Sequence, residues 1–222
     1  MRNLMRLSVC LLMNCVVAQE AKQESRFEKD IQKFEKQISD GISVPGQVMF
    51  IGSSSIRLWD LKKSFPDLQA INHGFGGSEI SDSIQHFDRI VTPLKPKLIV
   101  MYAGDNDLSK GKSPEQVHQD FRTFVELVRS RLDAKTPVAY IAIKPSLKRW
   151  NLAEKIQSAN AKIAADCSED SQLTYLDIWH PMLGADQTPR PELFAKDGLH
   201  LNEEGYKVWA SVVGSIVQPS NN

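Results

Sequence analysis

Cysteine is scarce in this chain: three in 222 residues, at positions 10, 15 and 167. Two of them fall in an N-terminal segment that reads as cleavable, so a mature chain keeps Cys167 alone, which excludes an internal disulfide framework. Cys167 continues a helical apolar face with Leu152, Ile156, Ala159 and Ile163, the setting of a buried structural thiol rather than a nucleophile. Net charge is absent too, with 27 basic residues against 27 acidic. Composition therefore offers no basic footprint for nucleic acid. His73, His86, His118 and His180 are scattered and none makes a metal-ligand spacing such as H-E-x-x-H, so no metal or other cofactor is implied. Asp105, Asp107 and Asp177 read as turn-forming aspartates rather than a magnesium cluster. There is no G-x-S-x-G elbow, which argues against the α/β-hydrolase fold. "GFGG" lacks the order of a dinucleotide fingerprint and follows the second expected strand. Repeats and low-complexity segments are missing as well.

The chain starts differently from the rest. "MRNLMR" is positive, "LSVCLLMNCVVA" is apolar, and "VVA-QE" offers small residues at a cleavage position. This has the form of a secretory signal peptide, residues 1–18, cut after Ala18. The apolar run is too short to span a bilayer, and the residue before Cys15 is not the small one expected ahead of a lipidated cysteine. Removing Arg2 and Arg6 leaves 25 basic against 27 acidic residues, a net charge of −2. A secreted or periplasmic location follows, with residues 19–222 as one domain and no stable membrane insertion. The oligomeric state stays open.

Apolar runs at 47–51, 68–72, 97–102, 137–143 and 173–178 have the length and composition of buried strands. Helical patterns lie between them. Phe27, Ile31, Phe34 and Ile38 share a face over 26–40. Ser78 stands as a cap before Ile80, Ile84, Phe87 and Val91. Ser113, Pro114 and Gln116 open a helix with a capping box. Asn202 caps a last helix that uses Val208, Trp209, Val212 and Ile216. Strands alternating with helices imply an α/β fold around a parallel sheet of about five strands, covered on both faces. Ligands in such sheets bind beyond the carboxyl ends of the strands.

The loops at those ends are "GSSSI" after the first strand, "NHGFGGS" after the second and "AGDNDL" after the third; "DGLHLN" lies near the C-terminus. Each alone is an ordinary turn. Together they hold a hydroxyl, an imidazole with a carboxylate three residues away, and amide donors, the parts of a serine hydrolase.

In these blocks the chain resembles the SGNH hydrolases, or GDSL-type esterases, over nearly all of residues 19–222. The resemblance implies a three-layer α/β/α sandwich of flavodoxin type. It places the family nucleophile on Ser54, in Gly52-Ser53-Ser54, and the catalytic D-x-x-H block on Asp197 and His200. The oxyanion donors it implies are the Ser54 amide, Gly77 from "GFGGS" and Asn106 from "GDND". Ser53 departs from the aspartate usual before the nucleophile. The implied activity is hydrolysis of carboxylic esters on a small-molecule or glycan substrate, and the expected substrates are short-chain or acetyl esters of carbohydrates. Rival readings are a lysophospholipase or thioesterase for longer acyl chains, and a non-catalytic carbohydrate- or lipid-binding module. Trp179, Met182, Leu183 and Phe194 flank the Asp197 loop and belong either to the core or to an acyl pocket.

Overall fold

The computed structural model describes residues 25–217. The expected leader, with Cys10, Cys15 and the junction after Ala18, and the tail at 218–222 lie outside the described residues.

Five parallel strands form one sheet: β1 (Val48–Gly52), β2 (Ala70–Gly74), β3 (Leu98–Tyr102), β4 (Val138–Ile141) and β5 (Leu173–Leu176). Their order is β2-β1-β3-β4-β5, the flavodoxin-like order of doubly wound sheets. Gly52 is level with Gly74 on one side and with Tyr102 on the other, so three strands end at the same height. The chain leaves β1 for one neighbour and later returns to the other. That switch point opens a crevice above β1, and Ser54 stands two residues beyond its end.

Both faces of the sheet are apolar, so the strands read as continuous rather than alternating runs. Met49, Ile51, Ile99 and Met101 pack in one core with α1 (Glu28–Ser39), α4 (Ile80–Gln85), α5 (Phe87–Ile90), α7 (Pro114–Arg131) and α8 (Ala153–Glu169). Val48, Phe50, Val100 and Tyr102 face the other layer, with α2 (Ser54–Arg57), α3 (Leu61–Ser64) and α9 (Glu203–Val217). Each of these fully buried side chains contributes about 2 kcal/mol of transfer free energy. Between α5 and α7 in the chain, α6 (Asp105–Ser109) is a short piece shortly after β3.

Most expected elements are present, with local differences. The capping box at Ser113 is made: its hydroxyl accepts from the Gln116 amide, and the Gln116 side chain accepts from the Ser113 amide. The helix expected from Ser78 starts later, because Glu79 and Asp82 form a capping box of their own. The Ser78 hydroxyl instead donates to Phe75 O and Gly52 O, tying two loops together. That helix also breaks at His86 into α4 and α5. The fourth strand stops at Ile141 because Asn160 takes over the main chain of Ile143, accepting from its N–H at 2.8 Å and donating to its carbonyl at 2.9 Å. Cys167 lies on α8, half-buried, with its thiol pushed up to about 12 by burial.

Candidate active site

Gly52 ends β1 at φ +133°, and a Cβ there would sit 1.9 Å from Tyr102 O, so only glycine lets β1 and β3 approach at this point. The next two bonds pin the turn: Phe75 N donates to Gly52 O and Ser53 N to Tyr102 O, both at 2.9 Å. The chain then enters a single helical turn at Ser54. Of the three serines, Ser53 and Ser55 are buried and Ser54 is partly exposed. The Ser53 hydroxyl has no hydrogen-bond partner among the described residues. Ser55 is held from behind, its hydroxyl taking a 3.3 Å bond from Lys144 and its carbonyl a 2.8 Å bond from Tyr206.

The "DGLH" loop reaches over from the far end of the sheet. An antiparallel bridge between Phe194 and Leu201 closes its base, and Asn202 ties it to α9 by accepting from the Gly205 amide. Within the loop, Asp197 Oδ1 accepts from the amides of Leu199 and His200, both at 2.9 Å. Asp197 Oδ2 lies 2.6 Å from His200 Nδ1, and His200 Nε2 lies 3.0 Å from Ser54 Oγ. A carboxylate only accepts, so Nδ1 carries the hydrogen. In the neutral ring Nε2 is then an acceptor facing the serine hydroxyl. The imidazole hydrogen bond, joined by the two amides, holds the Asp197 carboxyl far below the usual carboxylate range.

Three donors surround Ser54. Its own N–H and that of Gly77 have no protein acceptor among the described residues. Gly77, at φ +79°, is steadied by its carbonyl, which accepts from Arg26 at 3.0 Å and from Lys110 at 3.2 Å. Asn106 donates from Nδ2 to Ser78 O at 2.9 Å and keeps a second N–H. Asp30, Ser54, Arg57, Gly76, Gly77, Asn106, Leu199 and His200 line one open cleft of about 460 Å³.

The matching family model spans residues 57–208 and describes a GDSL-like lipase/acylhydrolase family. The chain belongs to the GDSL-like lipase/acylhydrolase family. It is accordingly a serine ester hydrolase. The family match begins three residues after Ser54, and it includes Gly77, Asn106, Asp197 and His200. No curated protein matches the chain. Solved structures with the same fold include a Streptococcus pneumoniae protein provisionally described as a platelet activating factor (TM-score 0.76, 20% identity, 86% of this chain and 92% of that one). Another is a GDSL-like lipase from Bacteroides thetaiotaomicron (0.71, 20%, 84% and 98%). A third is a variant of an acetyl-xylooligosaccharide esterase from Geobacillus (0.62, 13%, 79% and 96%). At these identities the likeness is one of fold.

Beside this GDSL-like site, other sequence expectations resolve differently. Trp179, Met182 and Phe194 are buried core residues and Leu183 packs against the core; none lines the cleft. Asp105 and Asp107 are buried in the first turn of α6, not set in a solvated turn. Asp105 pairs with Lys144 and Arg149, and Asp107 with Lys112. Burial pushes the Asp107 carboxyl up. His73 is buried against Phe34 and bonded through Nδ1 to Ile90 O. Two features went unforeseen. Asp30 and Arg57 border the cleft, one from a helix that precedes the motif blocks and the other from the residue after "GSSSI". Asp177 and His180 repeat the Asp-x-x-His pattern, and their side chains pair as Asp197 and His200 do. The cue was the second "D-x-x-H" directly after the fifth strand.

Proposed function

We propose that this esterase works through a covalent acyl-enzyme with Ser54 as nucleophile, His200 as base and Asp197 as the residue that orients and stabilises the imidazole. The observation that carries the reading is the continuous Ser54–His200–Asp197 contact at 3.0 and 2.6 Å on the rim of an open cleft. The Ser54 oxygen forms a bond to the ester carbonyl carbon as its proton passes to His200 Nε2. The carbonyl oxygen, now an anion, is held by the N–H groups of Ser54 and Gly77 and by the free N–H of Asn106. When the C–O bond breaks, His200 returns that proton to the departing alcohol. Water, deprotonated by the same imidazole, then releases the acid and restores Ser54. Each oxyanion donor lowers the barrier by about 3 kcal/mol.

The substrate in this reading is a short acyl ester, an acetyl group on a carbohydrate being the leading choice. The cleft is open, and among the described residues Leu199 is the one large apolar side chain on its border. The aromatic and apolar residues beside the Asp197 loop are committed to the core and do not line the cleft, which favours a short acyl group over a long chain. One structure of the same fold is an acetyl-xylooligosaccharide esterase, and export of the chain, proposed from residues 1–18, fits a polymer outside the cell. Nitrophenyl esters of graded length test this. In a deep acyl channel each added methylene gains about 0.8 kcal/mol when buried, so kcat/KM would climb from acetyl to octanoyl. The expected result is a maximum at acetyl or butyryl and a fall beyond. A maximum at octanoyl or longer replaces this reading with a lysophospholipase.

A further inference from the structure

Beneath the cleft lies a charged group that the ester mechanism above does not use. Lys144 follows β4 and is 1% exposed; Asp105 opens α6 at 6%, and Arg149 reaches in from the 3-10 segment Leu147–Leu152 at 16%. Lys144 Nζ lies 3.2 Å from Asp105 Oδ2, and Arg149 Nη1 lies 3.0 Å from the same oxygen. Lys144 also donates to the Tyr102 hydroxyl at 2.9 Å and, at 3.3 Å, to Ser55 Oγ directly after the nucleophile. Arg149 then donates from Nη2 to Asn106 Oδ1 at 2.9 Å.

We infer that Arg149, braced by Asp105 and Lys144, is a positioning residue that sets the Asn106 amide for the oxyanion. The inference rests on the assignment of Asn106 as an oxyanion donor. An asparagine amide can rotate to exchange its oxygen and nitrogen, and only its partners decide which faces the substrate. Guanidinium is a donor without acceptor capacity, so Arg149 fixes Oδ1 on its own side. Ser78 O is an acceptor without a hydrogen and fixes Nδ2 on the other. The second Nδ2 hydrogen is thereby held in one direction. A cation on Oδ1 also polarises the amide and strengthens its N–H as a donor.

The bracing explains an otherwise costly arrangement. Two cations and one carboxylate are removed from water here, and a buried charge persists only when paired. Burial alone would push the Asp105 carboxyl up, but Lys144 and Arg149 outweigh it and hold it below its ordinary value. The carboxylate in turn keeps Arg149 aimed at Asn106 instead of at solvent.

The experiment measures kcat and KM for a short-chain nitrophenyl ester in Arg149→Met, Asn106→Ala and the double variant, with thermal unfolding recorded for each. Loss of an oxyanion donor costs about 10²–10³-fold in kcat. Arg149→Met is expected to recover much of that loss pattern, with kcat down about 30-fold or more and KM within threefold. In the Asn106→Ala background the same change costs less than about threefold, since its target is gone. Affinity for an alkylboronic acid, whose tetrahedral adduct on Ser54 places an oxygen at the same donors, falls in step with kcat/KM. If Arg149→Met does not fold, Arg149→Lys and Arg149→Gln take its place, each expected at reduced kcat with KM little changed. Wild-type kcat in these variants, equal losses in both backgrounds, or unchanged boronate affinity overturns the inference while leaving Asn106 its role. Full activity in Asn106→Ala overturns both.

Discussion

Two loops of this molecule carry the same pattern, Asp197-x-x-His200 and Asp177-x-x-His180, and fold it in the same way. In each, Oδ1 of the aspartate accepts from the amides two and three residues on, and Oδ2 meets Nδ1 of the histidine. The pattern thus encodes a local carboxylate–imidazole pair and nothing more. What separates the two is the far side of the ring. His200 is 30% exposed and turns Nε2 to Ser54; His180 is 77% exposed, and no serine hydroxyl lies within hydrogen-bond reach of it among the described residues. The triad proposed here adds to a local pair one long-range contact, between residues 146 positions apart.

The sharpest way to break the comparison is to remove each imidazole in turn. His200→Ala and Ser54→Ala are each expected to lose about 10⁴-fold or more in kcat, and a fluorophosphonate is expected to label Ser54 alone. His180→Ala stays within about twofold. Labelling that survives Ser54→Ala, or equal losses at the two histidines, ends the distinction drawn between the loops.

The carboxylates come next. Asp197→Asn leaves the ring without an anion to favour its Nδ1–H tautomer and its protonated form. A fall in kcat of about 10²–10⁴-fold is expected, toward the lower end because the Asp197 side chain is half-exposed. Asp177→Asn is expected to leave kcat/KM unchanged. Steady-state kinetics on the two purified variants decides it, and a loss below threefold at Asp197 removes the orienting role.

These contrasts also mark what the sequence could reveal. Buried strands, capping at Ser113 and the motif blocks are local signals with a fixed period or spacing, and they were legible. Ser54, placed by the resemblance, is the partly exposed one of the three serines, between two buried neighbours at a strand-to-helix switch. The helix expected from Ser78 is capped one residue later, at Glu79, because the Ser78 hydroxyl is taken by tertiary bonds to Phe75 O and Gly52 O that no local pattern encodes. Asp105 looked like a turn residue since its partners, Lys144 and Arg149, lie 39 and 44 positions away. A lysine closing the apolar run "VAYIAIK" was the one hint that a buried cation needed an acid. The core role of Trp179 and Phe194 was likewise undecided, because periodicity gives the burial of a side chain and not which side of a loop it covers.

A third histidine sharpens the contrast from the side of stability. His73 has no carboxylate; it is buried, its Nδ1 donates to Ile90 O, and its Nε2 has no partner among the described residues. Burial pushes it down to about 4. Above its unfolded value, about 6.5, both states are neutral and pH has no effect through this group. Between about 6.5 and 4 the unfolded chain takes a proton that the fold refuses, so stability falls as the pH is lowered and levels off below 4. The ceiling is about 3 kcal/mol. Urea unfolding at pH 7.5 and 5 measures the slope. His73→Phe, though less stable at pH 7.5, is expected to show a flatter one, the remainder including His86, also pushed down chiefly by burial. An unchanged slope assigns the acid sensitivity elsewhere.

The smallest effect belongs to the Asp177–His180 pair, and its smallness is the point. Both side chains are exposed, at 42% and 77%. A solvent-exposed ion pair is worth about 0–1 kcal/mol, because water screens the charges and two side chains lose freedom to hold the geometry. His180→Ala keeps the two amide bonds to Asp177 Oδ1 and removes only the imidazole contact. It is therefore expected to change stability by less than about 1 kcal/mol, which in a domain of this size moves the melting temperature by about 2–4 °C at most. A drop well beyond this range would mean that the ring packs against a neighbour in solution and that the loop is a structural clamp. The likeness to the Asp197 loop would then have a cause other than the shared local turn.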